Sequence, residues 1–297
     1  MTTLIPAVLP VGLIILIGFI VGRNLSLQRS TLSQLILYIL SPALVVDSLY
    51  RNELSLGSSA ALLSGFALTS IAIYILVQII QRVLKLSDPD SRAITAIVMF
   101  PNNANMGLPV VTFALGMAGL DRAIVYLLGS SMLMFCFGPA MIQGRGVIQG
   151  LRLTLKLPLI WAIILGLSLR LSPWSLPSEL EKGIQQLGAA AIPVALILLG
   201  IQLSETTFQL RFKEILLAIA RLLVAPLIAL AVGQLLQLEI LSLQVLILQS
   251  AMPTAVNSLV IVSEFGGNQD LVARAIITST LCSFITLPLV LSYIMAF

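Results

Sequence analysis

Histidine is missing from the 297 residues, cysteine occurs twice, and 9% of positions are charged. Without histidine there is no imidazole for acid–base work, no HExxH motif and no Cys/His zinc site. Cys136 and Cys282 both fall in apolar stretches, so no disulfide framework is expected. There is no Walker loop and no Gly-x-Ser-x-Gly elbow, and Gly144-Arg145-Gly146 is a short basic turn rather than a phosphate cradle. These absences predict a protein that is not an enzyme, with no cofactor and no metal site. What is abundant is apolar surface: 59% of residues are hydrophobic and the mean hydropathy is +1.09, far from the mix of soluble domains. A pI near 9.3 would suggest nucleic acid in a soluble chain. Here the basic residues gather in loops, where charge orients a protein in the membrane, so the expected partner is the lipid bilayer and not nucleic acid.

Apolar segments of about 20 residues recur from end to end, the length that crosses a hydrocarbon core of roughly 30 Å. They fall at 4–22, 31–50, 57–83, 93–118, 123–143, 153–171, 184–204, 213–237, 240–264 and 270–296. This predicts an all-α integral membrane protein of ten transmembrane helices. No Lys or Arg precedes the first segment and no small-residue cleavage site follows it, so it reads as a spanning helix that is retained, not a signal peptide. Alternate loops differ sharply in basic residues. One side carries Arg23, Arg29, Arg82, Lys85, Arg92, Arg145, Arg152, Lys156, Arg211, Lys213 and Arg274; the other carries Arg51, Arg122, Arg170 and Lys182. The richer set is expected in the cytoplasm, leaving both termini on the non-cytoplasmic side of a plasma or inner membrane.

The chain repeats itself. Pro101, Asn105 and Arg122-Ala123-Ile124 are matched 152 residues on by Pro253, Asn257 and Arg274-Ala275-Ile276. Gln34 and Pro42 are matched by Gln185 and Pro193, and Leu9-Pro10 with Gly18 by Leu157-Pro158 with Gly166. Matches in the same order point to duplication: a first five-helix repeat at 1–143, a short cytoplasmic linker at 144–152, and a second repeat at 153–297. Because five is odd, the second repeat enters the membrane from the opposite side, and the repeats are inverted.

Within this frame the stretch Pro101 to Pro109, PNNANMGLP, breaks the fourth span. Proline removes a donor and clashes with the preceding turn, so the helix opens there. Non-helical backbone at membrane depth is tolerated where it lines a cavity, and paired breaks in inverted repeats mark a substrate site. The ninth span carries the matching break at Pro253 to Asn257. Kinks held by asparagines bonding to neighbouring helices are the plainer alternative.

The chain resembles the auxin efflux carrier family, which includes plant auxin carriers and bacterial malate-type permeases. The resemblance rests on ten spans, the Pro-Asn crossover at Pro101 to Asn105, its partner at Met252-Pro253 to Asn257, and the closing Leu287-Pro288 segment. It implies a scaffold of spans 1, 2, 6 and 7, a transport domain of spans 3–5 and 8–10 that moves in elevator fashion, broken helices 4 and 9 crossing at the substrate, and a homodimer. The long central loop of the plant carriers is missing, since only Gly144 to Arg152 separates spans five and six. The crossover reads Pro101-Asn102-Asn103-Ala104-Asn105 rather than the plant Asn-Pro-Asn-Thr-Tyr form. The expected function is secondary active or facilitative transport of a small organic anion, auxin-like or malate-like; a channel or a membrane sensor on the same fold is the alternative.

The expected substrate-binding residues are Pro101, Asn102, Asn103, Asn105, Gln249, Pro253, Thr254 and Asn257. Amides offer donors without a standing charge, and half-helix N-termini add partial positive charge for an anion. Some of the asparagines are expected only to tie the breaks together, and Thr254 and Ser258 compete with a role in satisfying backbone carbonyls. Gln249, four residues before Pro253, shares its helix face. Asp47, near the outer end of span two, is a candidate for coupling or gating, the other reading being an interfacial carboxylate. Arg221 lies roughly 12 Å beyond Lys213 along its helix; snorkelling to the cytoplasmic surface is the preferred reading over attraction of an anion. Asp121, Arg122, Glu264 and Arg274 fall at span ends and are expected to be solvated or paired.

Overall fold

A computed structural model describes residues 4–51, 54–143, 155–173, 175–205 and 211–297; the linker 144–152, with Arg145 and Arg152, lies outside the described residues. Among the described residues the chain is all-helical, and the sheet-like contact it makes is an isolated antiparallel bridge between Pro101 and Thr254. In chain order the helices are α1 (Leu4–Asn24), α2 (Arg29–Arg51), α3 (Leu56–Val83), α4 (Asp88–Met99), α5 (Asn103–Ile142), α6 (Pro158–Leu171), α7 (Ser178–Ser204), α8 (Phe212–Leu235), α9 (Ile240–Ser250), α10 (Asn257–Phe265) and α11 (Gln269–Ile294). Of these, α2, α3, α5, α7, α8 and α11 are long and apolar enough to cross a membrane, and α6, α9 and most of α1 are shorter apolar helices. Their outer faces remain apolar: Leu13, Leu16 and Ile20 of α1, Ile71, Ile75 and Ile79 of α3, and Ile285 and Leu289 of α11 are all exposed. That is the pattern of helices solvated by lipid.

Proline shapes the interior more than sequence periodicity does. Each of the four π-helical turns among the described residues, Ile36–Leu40, Asn103–Gly107, Leu133–Phe137 and Ala220–Val224, is followed two residues later by a proline: Pro42, Pro109, Pro139 and Pro226. The proline ring would clash with the carbonyl four residues back, which in every case lies inside the π turn. Widening that turn moves the carbonyl aside without ending the helix, and such turns recur at functional sites. α5 is also bent sharply at Gly116, whose φ of 69° and ψ of −165° need a residue without a Cβ. The bend divides α5 into limbs 103–115 and 117–142.

Two packing groups emerge. In the first, α1 lies along α7, while α2 packs on α6 and α7. These crossings are closed by glycine. A Cβ on Gly18 would stand 2.3 Å from the Ile197 carbonyl oxygen, and one on Gly200 2.1 Å from that of Ile15. Small residues let helix backbones approach closely, where apolar burial gives little drive inside lipid. The second group joins α3, α4, α5, α8, α9, α10 and α11. Of the buried polar side chains among the described residues, Ser48 alone belongs to the first group; the rest, from Thr69 to Ser283, sit in the second.

Candidate functional site

The chain leaves α4 because Phe100 precedes a proline. A residue in that position is pushed out of helical geometry, and Phe100 has φ −114° and ψ 89°. α9 likewise stops at Ser250, ahead of Pro253. The two extended breaks meet as short antiparallel strands. Asn102 N–H donates to the Pro253 carbonyl at 2.7 Å, and Ala255 N–H donates to the Phe100 carbonyl at 2.8 Å. Backbone groups freed by each break are therefore satisfied by the other, as burial inside a bilayer demands. Side chains reinforce the crossing: Thr254 Oγ1 donates to the Ile97 carbonyl at 3.0 Å, Ser258 Oγ to that of Ala96 at 3.4 Å, and the Thr254 N–H to Ser279 Oγ at 3.1 Å.

A cavity of about 110 Å³ opens on one side of the crossing. Pro101, Asn102, Asn103, Asn105 and Asn257 line it, facing Ser33 and Ile36 of α2, Leu159 of α6 and Leu198 of α7. Among the described residues no charged side chain lines it. The first turns of α5 and α10 both open onto it, through Ala104 and Asn105 and through Val256 and Asn257. Three of the four π turns contribute as well: Ile36 and Leu37, Asn103 to Asn105, and Met134 and Phe135. Asn102 and Asn103 are buried, Asn105 is half-buried and Asn257 is exposed. Asn103 Nδ2 donates to Ser130 Oγ at 2.9 Å, while its Oδ1 has no hydrogen-bond partner among the described residues.

The family described as membrane transport protein matches residues 3–151 and 145–291. The chain belongs to the auxin efflux carrier family. It is 29% identical over 290 residues, 95% of each chain, to an uncharacterized transporter of Methanothermobacter thermautotrophicus. It is also 26% identical over 299 residues, 95% of this chain and 96% of the relative, to an uncharacterized transporter of Methanocaldococcus jannaschii. The chain is thus a multi-pass membrane protein of a transporter family.

The remaining expected residues fall in three places. Thr254 and Pro253 belong to the crossing itself and do not line the cavity. Gln249 is fully buried behind it, against Gly107, where a Cβ would stand 2.0 Å from its Oε1. Neither Gln249 amide atom finds a hydrogen-bond partner among the described residues. Asp47 lies away from the cavity, accepting at 2.8 Å from Arg51 Nε, whose other end reaches Glu181.

Arg221 corrects the sequence reading most clearly. It does not snorkel: it is 2% exposed, and its guanidinium donates to three main-chain carbonyls. Nε reaches Met252 at 3.0 Å, Nη1 reaches Val98 at 2.7 Å and Nη2 reaches Ser250 at 2.6 Å. Sequence reasoning missed this because those carbonyls are freed only by the breaks in two other helices. The proline following at Pro226 was the available signal, since it holds Arg221 in a π turn. Ser130 and Ser131 also line the cavity, and nothing in the sequence singles them out from other mid-span serines. The span-end charges pair as expected: Arg122 with Glu239 and Arg274 with Glu214.

Proposed function

We propose that this chain is a secondary active or facilitative carrier of a small organic anion, malate-like or auxin-like, working by elevator-type alternating access. The observation that carries the reading is the crossover cavity, where four asparagines and two helix N-terminal turns meet with no charged side chain among the described residues. Amide donors and helix N-termini hold a carboxylate without a fixed countercharge, so it can be released again. The volume of about 110 Å³ suits a small molecule, against roughly 300–1,000 Å³ for drug-sized sites.

The reading takes the helices as ten spans in two inverted repeats. α4 with limb 103–115 forms the fourth span, and α9 with α10 the ninth. It is supported by contacts that repeat: Gly18 of α1 abuts Ile197 of α7, and Gly166 of α6 abuts Val46 of α2. Gly18 and Gly166 are 148 residues apart, and Val46 and Ile197 are 151 apart, close to the offset between the two breaks. On this reading α1, α2, α6 and α7 are the fixed wall, and the other helices move as the transport domain. Basic loops put both termini on the non-cytoplasmic side, and the family resemblance implies a homodimer.

The test is a thermal-shift screen of the purified protein against mono- and dicarboxylates and indole acids, followed by counterflow of the best binder in liposomes. A ligand at a hundredfold excess over its Kd stabilises the native state by about 2.7 kcal/mol. Saturable counterflow marks a carrier, flux without counterflow a channel, and binding without flux a sensor. If no acid shifts the melting point, the organic-anion reading fails.

A further inference from the structure

The carbonyl ends of α4 and α9 point toward one place. Helix C-termini carry partial negative charge, and two of them facing each other in a low-dielectric interior repel unless a cation lies between. In carriers built on broken helices, unwound carbonyls and half-helix C-termini are where a coupling sodium ion or proton binds. In this chain that place is taken. The Arg221 guanidinium sits among the carbonyls of Val98, Ser250 and Met252 and makes a bond of 3.0 Å or less to each. Its planar fork spans ends that come from different halves of the chain, which a single ammonium cannot match. Among the described residues no carboxylate forms an ion pair with it, so its charge is offset by main-chain dipoles.

We propose that Arg221 is a resident cation of the crossover, a positioning residue that does the work a bound sodium ion would otherwise do. The inference rests on the carrier reading above and deepens it. Both breaks are held in register without any ion from solution. Transport is then independent of a sodium gradient.

The experiment compares wild type with Arg221→Ala and Arg221→Lys. Melting points are measured in sodium chloride, choline chloride, and choline chloride with millimolar guanidinium; counterflow of radiolabelled L-malate is measured with sodium or choline on both sides. Wild type is expected to melt at the same temperature in sodium and choline, and its flux to be unchanged by the exchange. Losing three charge-assisted bonds should cut flux in Arg221→Ala about tenfold or more. Guanidinium should raise the melting point of Arg221→Ala, and leave wild type unchanged. Arg221→Lys should fall between, because an ammonium cannot span both half-helix ends. Rescue by guanidinium is a readout that a merely space-filling role would not give. A wild type that melts higher in sodium than in choline, or that needs sodium for flux, overturns the proposal. So does an Arg221→Ala protein that guanidinium does not restore. Should Arg221→Ala fail to fold, an Arg221→Lys protein equal to wild type in melting point and flux overturns it instead. If L-malate gives no flux in wild type, malate is excluded as the cargo, while the melting arms still decide the role of Arg221.

Discussion

The two helix groups are held together by different physics. α1, α2, α6 and α7 approach through glycine, with backbone against backbone at Gly18, Gly200, Gly188 and Gly166. The other helices are laced by polar side chains: Gln81 to Thr95, Thr254 to Ile97, Arg221 to three carbonyls, Asn103 to Ser130. Close backbone packing gives many weak contacts with one geometry, which suits a wall. A polar network satisfies the backbone groups that broken helices leave open. The cavity lies where these two kinds of packing meet.

Breaking the wall should have the largest effect. Gly200→Leu would drive a side chain into the α1 backbone, where a Cβ alone already stands 2.1 Å from the Ile15 carbonyl oxygen and 2.6 Å from Phe19 N. Overpacking of this kind commonly costs about 1–3 kcal/mol with flexible neighbours; rigid backbone on the receiving side raises that, and folded protein is expected to be lost. Gly12→Ala is the matched control, because nothing lies within 4 Å of its Cβ position. It should be neutral or stabilising by up to about 1 kcal/mol through helix propensity. Yield and monodispersity after detergent extraction measure both. Equal behaviour of the two variants would mean that glycine packing does not hold the wall.

Locking one group to the other comes next. Ser48 Oγ of α2 donates to Asp121 Oδ1 of α5 at 2.6 Å, joining the groups. In a background without Cys136 and Cys282, Ser48→Cys with Asp121→Cys should lose transport when treated with a short thiol cross-linker and keep it before treatment. The pair Ala96→Cys with Ser258→Cys, which links α4 to α10 inside the second group, should transport equally in both states. Loss in the second pair with persistence in the first would mean that the crossing separates during the cycle.

Smaller effects are expected inside the cavity. Asn105→Ala and Asn257→Ala remove amides that line it, and the loss of one polar partner typically costs about 1–3 kcal/mol, or roughly 5- to 150-fold in affinity. Asn103→Ala should also lower the melting point, because Asn103 bonds Ser130 of the second limb of α5 as well as facing the cavity. Binding isotherms and melting curves separate the two roles. Wild-type affinity in all three variants would remove the cavity from the substrate path.

Much of this was legible in the sequence, and the exceptions have a common cause. The breaks could be read because Pro101 and Pro253 act on their own neighbours, through local sterics. The matched spacings of the two halves lie in the sequence itself. Arg221 could not, since its partners lie 29, 31 and 123 residues away and are available only after two other helices open. Gln249 shares a helix face with Pro253 by spacing, but a face does not say whether it meets the cavity or the back of a π turn. Gly18 and Gly166 stand at matched spacings in the sequence, but their close contacts with α7 and α2 needed the packing.

The smallest predicted effect concerns the ion pairs that close the second group at its ends. Glu239, just ahead of α9, accepts from Arg122 Nε and from Ser242 Oγ, both at 2.8 Å. The hydrogen bond from Arg122 holds its carboxyl below the ordinary value of 4.5. A group whose pKa is lowered on folding contributes stability that is fully present above its unfolded pKa and is lost as pH falls through the folded one. The melting point should therefore be flat from neutral pH down to the ordinary carboxylate range and decline below it. Glu239→Gln keeps the shape but gives up the charge, and should remove part of that acid-side decline while lowering the neutral melting point only slightly. Glu239 is about half exposed, with a side-chain exposure of 46%, so solvent screens the pair and its worth is about 0.2–1 kcal/mol. Ser48→Ala, which removes the hydrogen bond from α2 to Asp121, leaves this carboxylate untouched and should not alter the acid-side slope. A Glu239→Gln curve parallel to wild type at every pH would show that the end pairs add nothing, and that the polar network is carried by its buried centre alone.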